Sequence, residues 1–398
     1  VKSRLAPTSM LLAVCVAAPA DAQVVLGRLG GTTVNTSGLV QADAAWYRSD
    51  GVALSGNPRS PDGPNHDLRV AILFLNGLGP GGFDWRVGYE RNTAKWLDMN
   101  ARYRFGRERR SFLRAGQFKQ PSGLERLSSL TAREFMSTAM MTKTFTLGNR
   151  LGVAYGHEFR YGKADVAGSH PTLALTATYF DHELAATRRI PNYARGNGVA
   201  LRAAWAPVNQ AGRIAHLGLS WADYDTRDAE MRWRVQPNME LTPVRLLDTG
   251  AMPAIDHVSV LGAEAFWVAG NVKLQGEYMR ADAHRHVPAD THFQGAGGYV
   301  SALWNPGGET WRYVDGLPVT PVGAVTNAGM WQLGLRYDAI DLDDGPVHGG
   351  RMRTWTLGVN WYWNAHLKFV LNYVAVQSRR AAVTDDPAIT GVRVQFHW

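Results

Sequence analysis

The stretch Thr354–Val376 reads TWTLGVNWYWNAHLKFVLNYVAV, and its reading decides the fold. Trp355, Leu357, Val359, Trp361 and Trp363 alternate with Thr356, Gly358, Asn360 and Tyr362. After Asn364-Ala365 the alternation restarts, with Leu367, Phe369, Leu371 and Tyr373 set against His366, Lys368 and Asn372. A period of two is that of a strand with one apolar and one polar face. The short Asn364-Ala365 break joins the two strands as a hairpin with a tight turn. So many indoles on one face need cover, and the choices are a protein core or lipid.

The same pattern recurs along the chain. Leu97, Met99, Ala101, Tyr103 and Phe105 alternate with Asp98, Asn100, Arg102 and Arg104. Met231, Trp233 and Val235 alternate with Arg232, Arg234 and Gln236, and Trp331, Leu333, Leu335 and Tyr337 with Gln332, Gly334, Arg336 and Asp338. Roughly sixteen to eighteen such segments can be marked, each near the ~9–11 residues of a tilted membrane strand. Short breaks alternate with longer ones such as Ser49–Asp67, Ala281–Thr291 and Asn305–Ala328. A soluble β-sandwich would also alternate, but its inner face would lack charge. Here one face carries Arg, Asp and Asn, while the other carries Trp and Tyr near strand ends. That arrangement suits lipid outside and water inside, so the expected fold is all-β, a transmembrane antiparallel β-barrel formed by residues 23–398 as one domain.

The totals agree. In 398 residues, 45 % are hydrophobic and 19 % charged, which excludes a bundle of membrane helices. The net charge of +8 comes from scattered basic residues and not from a block suited to nucleic acid. At the N-terminus Lys2 and Arg4 precede the apolar run Met10–Ala18 and the small-x-small site Ala20-Asp21-Ala22. Residues 1–22 therefore read as a cleaved secretory signal, too short in its apolar part to span a bilayer. The single cysteine, Cys15, lies in that segment, behind a bulky Val14 that argues against lipidation. An exported chain without disulfide chemistry is expected.

Several longer stretches carry a family resemblance. LRAGQFKQPSGLERLSS (Leu113–Ser129), DTGAM (Asp248–Met252), GAEAFWVAGNVKLQGEY (Gly262–Tyr278), FQGAGGYVSALW (Phe293–Trp304), GMWQLGLRYDAIDLDD (Gly329–Asp344) and TLGVNWYWNAHLKFVLNYV (Thr356–Val374) closely resemble the phosphate-selective porins of the O/P type. The terminal VRVQFHW resembles the aromatic-ended last strand that the barrel-assembly machinery recognises. The resemblance implies a 16-stranded outer-membrane barrel, a homotrimer, an inward-folded third loop forming a constriction, and basic residues that draw in inorganic phosphate or other small anions.

Candidate selectivity residues follow. Alternation puts Arg102, Arg104, Arg232 and Arg234 on the polar, lumen-facing side, where guanidinium groups offer bidentate geometry to an anion. By resemblance, Arg232 and Arg234 match an Arg-x-Arg strand of the family's arginine ladder, with Val235 or Gln236 standing where a further arginine belongs. Arg69 matches one of a family pair, the other being replaced by Leu68. Residues 120–145 break the alternation and resemble the inward loop, making Lys119, Arg126 and Arg133 the constriction candidates. Glu125 and Glu134 are expected to pair with those arginines and oppose their field. Leu130 stands where the family has lysine. Every porin lumen holds Arg–carboxylate networks that merely solvate the wall, so a general diffusion porin with little anion preference is the alternative, and an outer-membrane hydrolase or adhesive barrel a more remote one.

Other signals point to no further chemistry. His284, His286 and His292 have no carboxylate spacing that completes a metal site. Asp341–Gly345 fails the calcium-loop pattern because the twelfth position is Met352. No G-x-S-x-G nucleophile motif is present. No catalytic residue, metal or cofactor is expected.

Overall fold

The hairpin forms as its pattern dictates. Trp355 and Leu357 are 52 % and 57 % exposed on the outer surface, whereas Thr354 and Thr356 between them are 1 % exposed. The Asn364 side chain accepts from the backbone N–H of His366 and Leu367, both at 2.8 Å, and so closes the turn. Tyr362 breaks the aromatic run by pointing inward, fully buried.

In the computed structural model, residues 23–164, 169–182, 197–226, 230–286, 292–321 and 329–398 are described. The expected signal, residues 1–22, lies outside them. The wall begins with β1 (Thr32–Arg48), β2 (Asn65–Leu78), β3 (Phe83–Glu90), β4 (Lys95–Phe105) and β5 (Ser111–Lys119). It continues through β6 (Asn149–Arg160), β7 (Thr172–Phe180), β8 (Gly198–Gln210), β9 (Arg213–Asp225), β10 (Ile255–Ala269) and β11 (Val272–Arg285). The last strands are β12 (His292–Trp304), β13 (Met330–Asp344), β14 (Val347–Tyr362), β15 (Leu367–Arg380) and β16 (Ala388–His397). Two of the 18 strands in the sheet, Val24–Leu29 and Val383–Asp385, are short additions at the rims; the other 16 described strands form the barrel. Neighbours pair antiparallel, and β1 meets β16 from Leu39↔His397 to Arg48↔Ala388. Closure matters because each unpaired backbone group facing hydrocarbon costs several kcal/mol.

One rim carries most of the short turns, including those after Leu78, Phe105, Gln210, Ala269 and Tyr362. Aromatic side chains mark that rim on the outer surface. Trp331, Trp361, Trp363 and Phe369 stack in a row, with centroids 5.4 Å apart for Trp331–Trp361 and 5.7 Å for Trp361–Trp363. Amphipathic rings at the headgroup level fix the barrel's depth.

Three sequence expectations are revised. Residues 281–285 continue β11, so the break there begins only at position 286. The segment after Trp304 lies on the short-turn rim, yet it is long and forms a ribbon, Arg312–Val314 with Leu317–Val319. Met231–Val235 is not a wall strand. Its residues belong to two short ribbons between β9 and β10, Glu230–Met231 with Met252–Pro253 and Arg234–Val235 with Leu247–Asp248. The alternation there is genuine, but its apolar face packs on other lumen residues in place of lipid.

Much of the buried apolar surface lies inside the barrel. Met136, Ala139, Met140, Met141 and Phe145 from the segment after β5 join Trp233, Val235, Met239 and Leu247 from the segment after β9. They pack on inward residues of the wall such as Tyr299, Ile340, Met352 and Val374. The two segments therefore fill part of the lumen.

Candidate functional site

Residues 120–148 enter the lumen and are tied to the wall from β11 to β16. The Glu277 carboxylate accepts from the backbone N–H of Leu124 at 2.6 Å and of Glu125 at 2.8 Å. Asp338 accepts from Met140 N at 2.8 Å, and Asn372 Oδ1 from Met136 N at 2.8 Å. In return Asn360 donates to the Glu134 carbonyl, Lys368 to that of Arg133 and Gln395 to that of Thr131, at 2.6–2.8 Å. Two short helices, α1 (Leu124–Leu127) and α2 (Met140–Phe145), lie in this segment. Glu125 links them by accepting from Ala139 N and Thr142 Oγ1 at 2.9 and 2.8 Å. Glycines on the wall make room. A Cβ on Gly358 would stand 3.1 Å from the Phe135 ring, and one on Gly391 only 2.9 Å from Met136 Sδ.

The inward loop packs mainly on β11–β16, while Leu130 also reaches Leu39, Val70 and Ile72 on β1 and β2. Near the end of β5, Lys119, Arg126 and Arg133 come together, each half-buried. Lys119 lies within Coulombic range of Arg126, Arg133 and Arg86. Burial, opposed by Glu125 and reinforced by Arg69, Arg393 and Arg126, lowers the pKa of Arg133 to about 9. The expected pairing of Glu125 and Glu134 with these arginines does not occur. Glu125 bonds wall residue Arg336 at 3.2 Å and Glu134 bonds Lys273 at 2.5 Å. Their negative charge is spent on anchoring the loop, which leaves Lys119, Arg126 and Arg133 without an ion pair to any described carboxylate.

Arg114 on β5 is a further lumen cation that was not singled out from the sequence, and it lies within Coulombic range of Arg102, Arg104, Asp84 and Asp98. It projects inward between outward Leu113 and Ala115, lies 5.6 and 5.4 Å from the Phe112 and Phe118 rings, and has no ion pair among the described residues. The signal was present: Arg114 is Arg102's cross-strand partner, so the two share a face.

The other candidates are inward but neutralised. Arg69 is the extra residue of a bulge, since Val70 faces Gln41 and Leu68 faces Ala42. The bulge turns Arg69 inward, where it pairs with Glu240 and lies 3.6 Å from Asp43. Arg102 pairs with Asp84 at 3.0 Å. Arg104 reaches Asp315, at the tip of the ribbon after β12, also at 3.0 Å. That ribbon crosses the lumen from its origin beside β13, and Arg202 on β8 holds its Gly316 carbonyl at 2.9 Å. Arg232 and Arg234 lie in the segment between β9 and β10, half-exposed, and share Asp248 at 2.5 and 3.7 Å. The Arg232 guanidinium holds the Asp248 carboxyl down at about 2. They are therefore not rungs on a wall strand. Val235, at one of the missing family positions, is buried in the lumen cluster, and Leu130 packs against Leu39, Val70 and Ile72.

Of the histidines noted in the sequence, His284 stacks on His257 at 4.1 Å and stands edge-on to His292 at 4.7 Å, whereas His286 lies 3.0 Å from Asp256. Among the described residues no group of three His, Cys, Asp or Glu side chains is placed to hold a metal ion.

Residues 56–398 match the family model described as phosphate-selective porin O and P. An uncharacterized protein of Caulobacter vibrioides is 28 % identical over 321 residues, which is 77 % of this chain and 61 % of that protein. Porin O of Pseudomonas aeruginosa is 24 % identical over 205 residues, 44 % of this chain and 47 % of that one. The chain thus spans about half to three-fifths of the length of these relatives. Among solved structures, the outer-membrane protein OmpT of Vibrio cholerae superposes with a TM-score of 0.57 at 11 % identity, covering 94 % of this chain and all of that one. The anion-selective porin of Comamonas acidovorans superposes with a TM-score of 0.52 at 13 % identity, covering 92 % and 100 %. These likenesses share the barrel fold.

Proposed function

We propose, from the premise that this chain belongs to the phosphate-selective porin O and P family, that its outer-membrane porin channel selects small anions, inorganic phosphate among them. The observation that carries the selectivity is the group formed by Lys119, Arg126 and Arg133, lumen cations with no described carboxylate paired to them. In a narrow lumen of low effective dielectric, such charges lower the energy of an entering anion and raise that of a cation. Planar guanidinium groups can take two oxygens of one phosphate, and several sites in succession allow release as well as entry. A channel and not an enzyme is the activity assigned, and no step of it calls for a cofactor.

Bilayer recordings of the purified protein under a KCl gradient test this reading. An anion-directed reversal potential, with chloride current reduced by added phosphate, is expected. A potential near zero would make the chain a general diffusion porin. That second reading draws on the neutralisation of Arg69, Arg102, Arg104, Arg232 and Arg234 by carboxylates.

Export by the signal in residues 1–22, recognition of the last strand by the barrel-assembly machinery, and assembly as a homotrimer belong to the same proposal. One Vibrio OmpT structure is described as a trimer form.

A further inference from the structure

The outer surface near the long-loop rim holds basic residues that the channel does not use. Arg351 and Arg353 on β14 and Arg379 on β15 are exposed, while Met352, Thr354 and Ser378 between them are buried inward. These three arginines therefore face away from the lumen. Arg351 stands directly opposite Arg379 in the ladder. Like charges placed so destabilise a sheet unless an anion lies between them. Asp341 and Asp343 offset Arg351, at 3.0 and 3.4 Å. Arg353 and Arg379 have no ion pair among the described residues.

Height on the barrel identifies the anion. Trp355 and Tyr337 pack at 4.9 Å on the outer face of β14 and β13, marking the upper hydrocarbon boundary. Arg353 and Arg351 lie two and four positions before Trp355 on β14, toward the long-loop rim. At about 3.3 Å per residue, and with a strand tilt of about 35–45°, the cluster spans about 5–10 Å above those rings. Lipid headgroup phosphates occupy that level. A solute in the pore cannot reach it.

We infer that Arg351, Arg353 and Arg379 form an outward site for the phosphorylated headgroup of an outer-leaflet lipid. The phosphate sits between Arg353 and Arg379, the two without an ion pair, with Arg351 beside Arg379 above it. The site rests on the barrel's place in the outer membrane and not on the selectivity of its pore.

The test uses the purified barrel in detergent, titrated with diphosphoryl lipid A and followed by native mass spectrometry. The triple variant Arg351→Gln, Arg353→Gln, Arg379→Gln should bind it about tenfold or more weakly. The corresponding triple lysine variant should retain most of the binding. Unchanged single-channel conductance of both variants would show that the barrel is intact. Equal binding by wild type and the glutamine variant would overturn the site. So would equal binding of lipid A stripped of its phosphates, or displacement by an equal concentration of inorganic phosphate. Cross-links from position 353 to a second copy of the chain, formed in the bilayer, would also overturn it, since a protein would then cover the arginines.

Discussion

Two sets of charges in the lumen are used in opposite ways. Against β11–β16, Glu277 holds backbone N–H groups, Lys273 holds Glu134, and Arg336 holds Glu125. Lys119, Arg126 and Arg133 hold no described carboxylate, although Arg69, Arg102 and Arg104 on β2 and β4 do. The first set fastens a loop; the second is left to act on whatever passes. An inventory of arginines on the polar face cannot separate these roles, because the sign of the local field depends on where the carboxylates go.

The sharpest way to break the contrast is to unfasten the loop. Glu277→Leu removes an acceptor from two buried N–H groups, a loss of about 2–6 kcal/mol at about 1–3 kcal/mol for each. Severalfold larger single-channel conductance with weaker selectivity is expected, and an unchanged conductance would show that the loop is held by other means. Replacing Arg126 and Arg133 together by Gln leaves the fastening intact and should lower the anion-to-cation permeability ratio on the order of tenfold. The same change at Arg232 and Arg234 should alter that ratio by less than about twofold, because Asp248 already offsets them. Equal effects of the two pairs would refute the distinction between free and neutralised cations.

Asp315→Asn tests the lower passage. It frees Arg104 from its partner, and anion preference should rise by about twofold at low salt, where screening is weakest. The smallest effect concerns pH. A base carries its charge below its pKa and loses it above, and burial among cations lowers the Arg133 pKa, so anion preference should decline as the pH is raised into the alkaline range. Arg133→Gln should flatten that decline in the same reversal-potential measurement.

Much of the barrel was legible because alternation is a property of single residues. Trp355 and Leu357 against Thr354 and Thr356 need no distant partner to be read. Arg102 and Arg104 were placed inward by the same rule. Arg232 and Arg234 show where the rule fails: alternation gives two faces but does not say whether the apolar one meets lipid or another loop. Trp233 packs on Phe145 and Phe293, both remote in sequence. The inward loop was recognised from its resemblance and its broken period, whereas its fastening was not, since Glu125 and Glu134 chose partners on β13 and β11. One clue was overlooked. Glycine recurs at lumen-facing positions 334, 358 and 391, and those gaps receive Phe135 and Met136.

The meeting of the first and last wall strands has a consequence for biogenesis. Trp398 exchanges backbone hydrogen bonds with Gly38, at 2.9 and 3.2 Å, and the strand Val24–Leu29 continues the line of β16 beyond it along β1. The first wall strand to leave the ribosome therefore waits for the last. Until then β1 and β16 each present a row of bare amides and carbonyls that hydrocarbon would penalise heavily. Entry into the bilayer therefore requires that the ring close or that another protein cover both edges. The joint also makes the linear order arbitrary: a chain reopened at a rim loop and spliced from position 398 to position 24 should enclose the same ring.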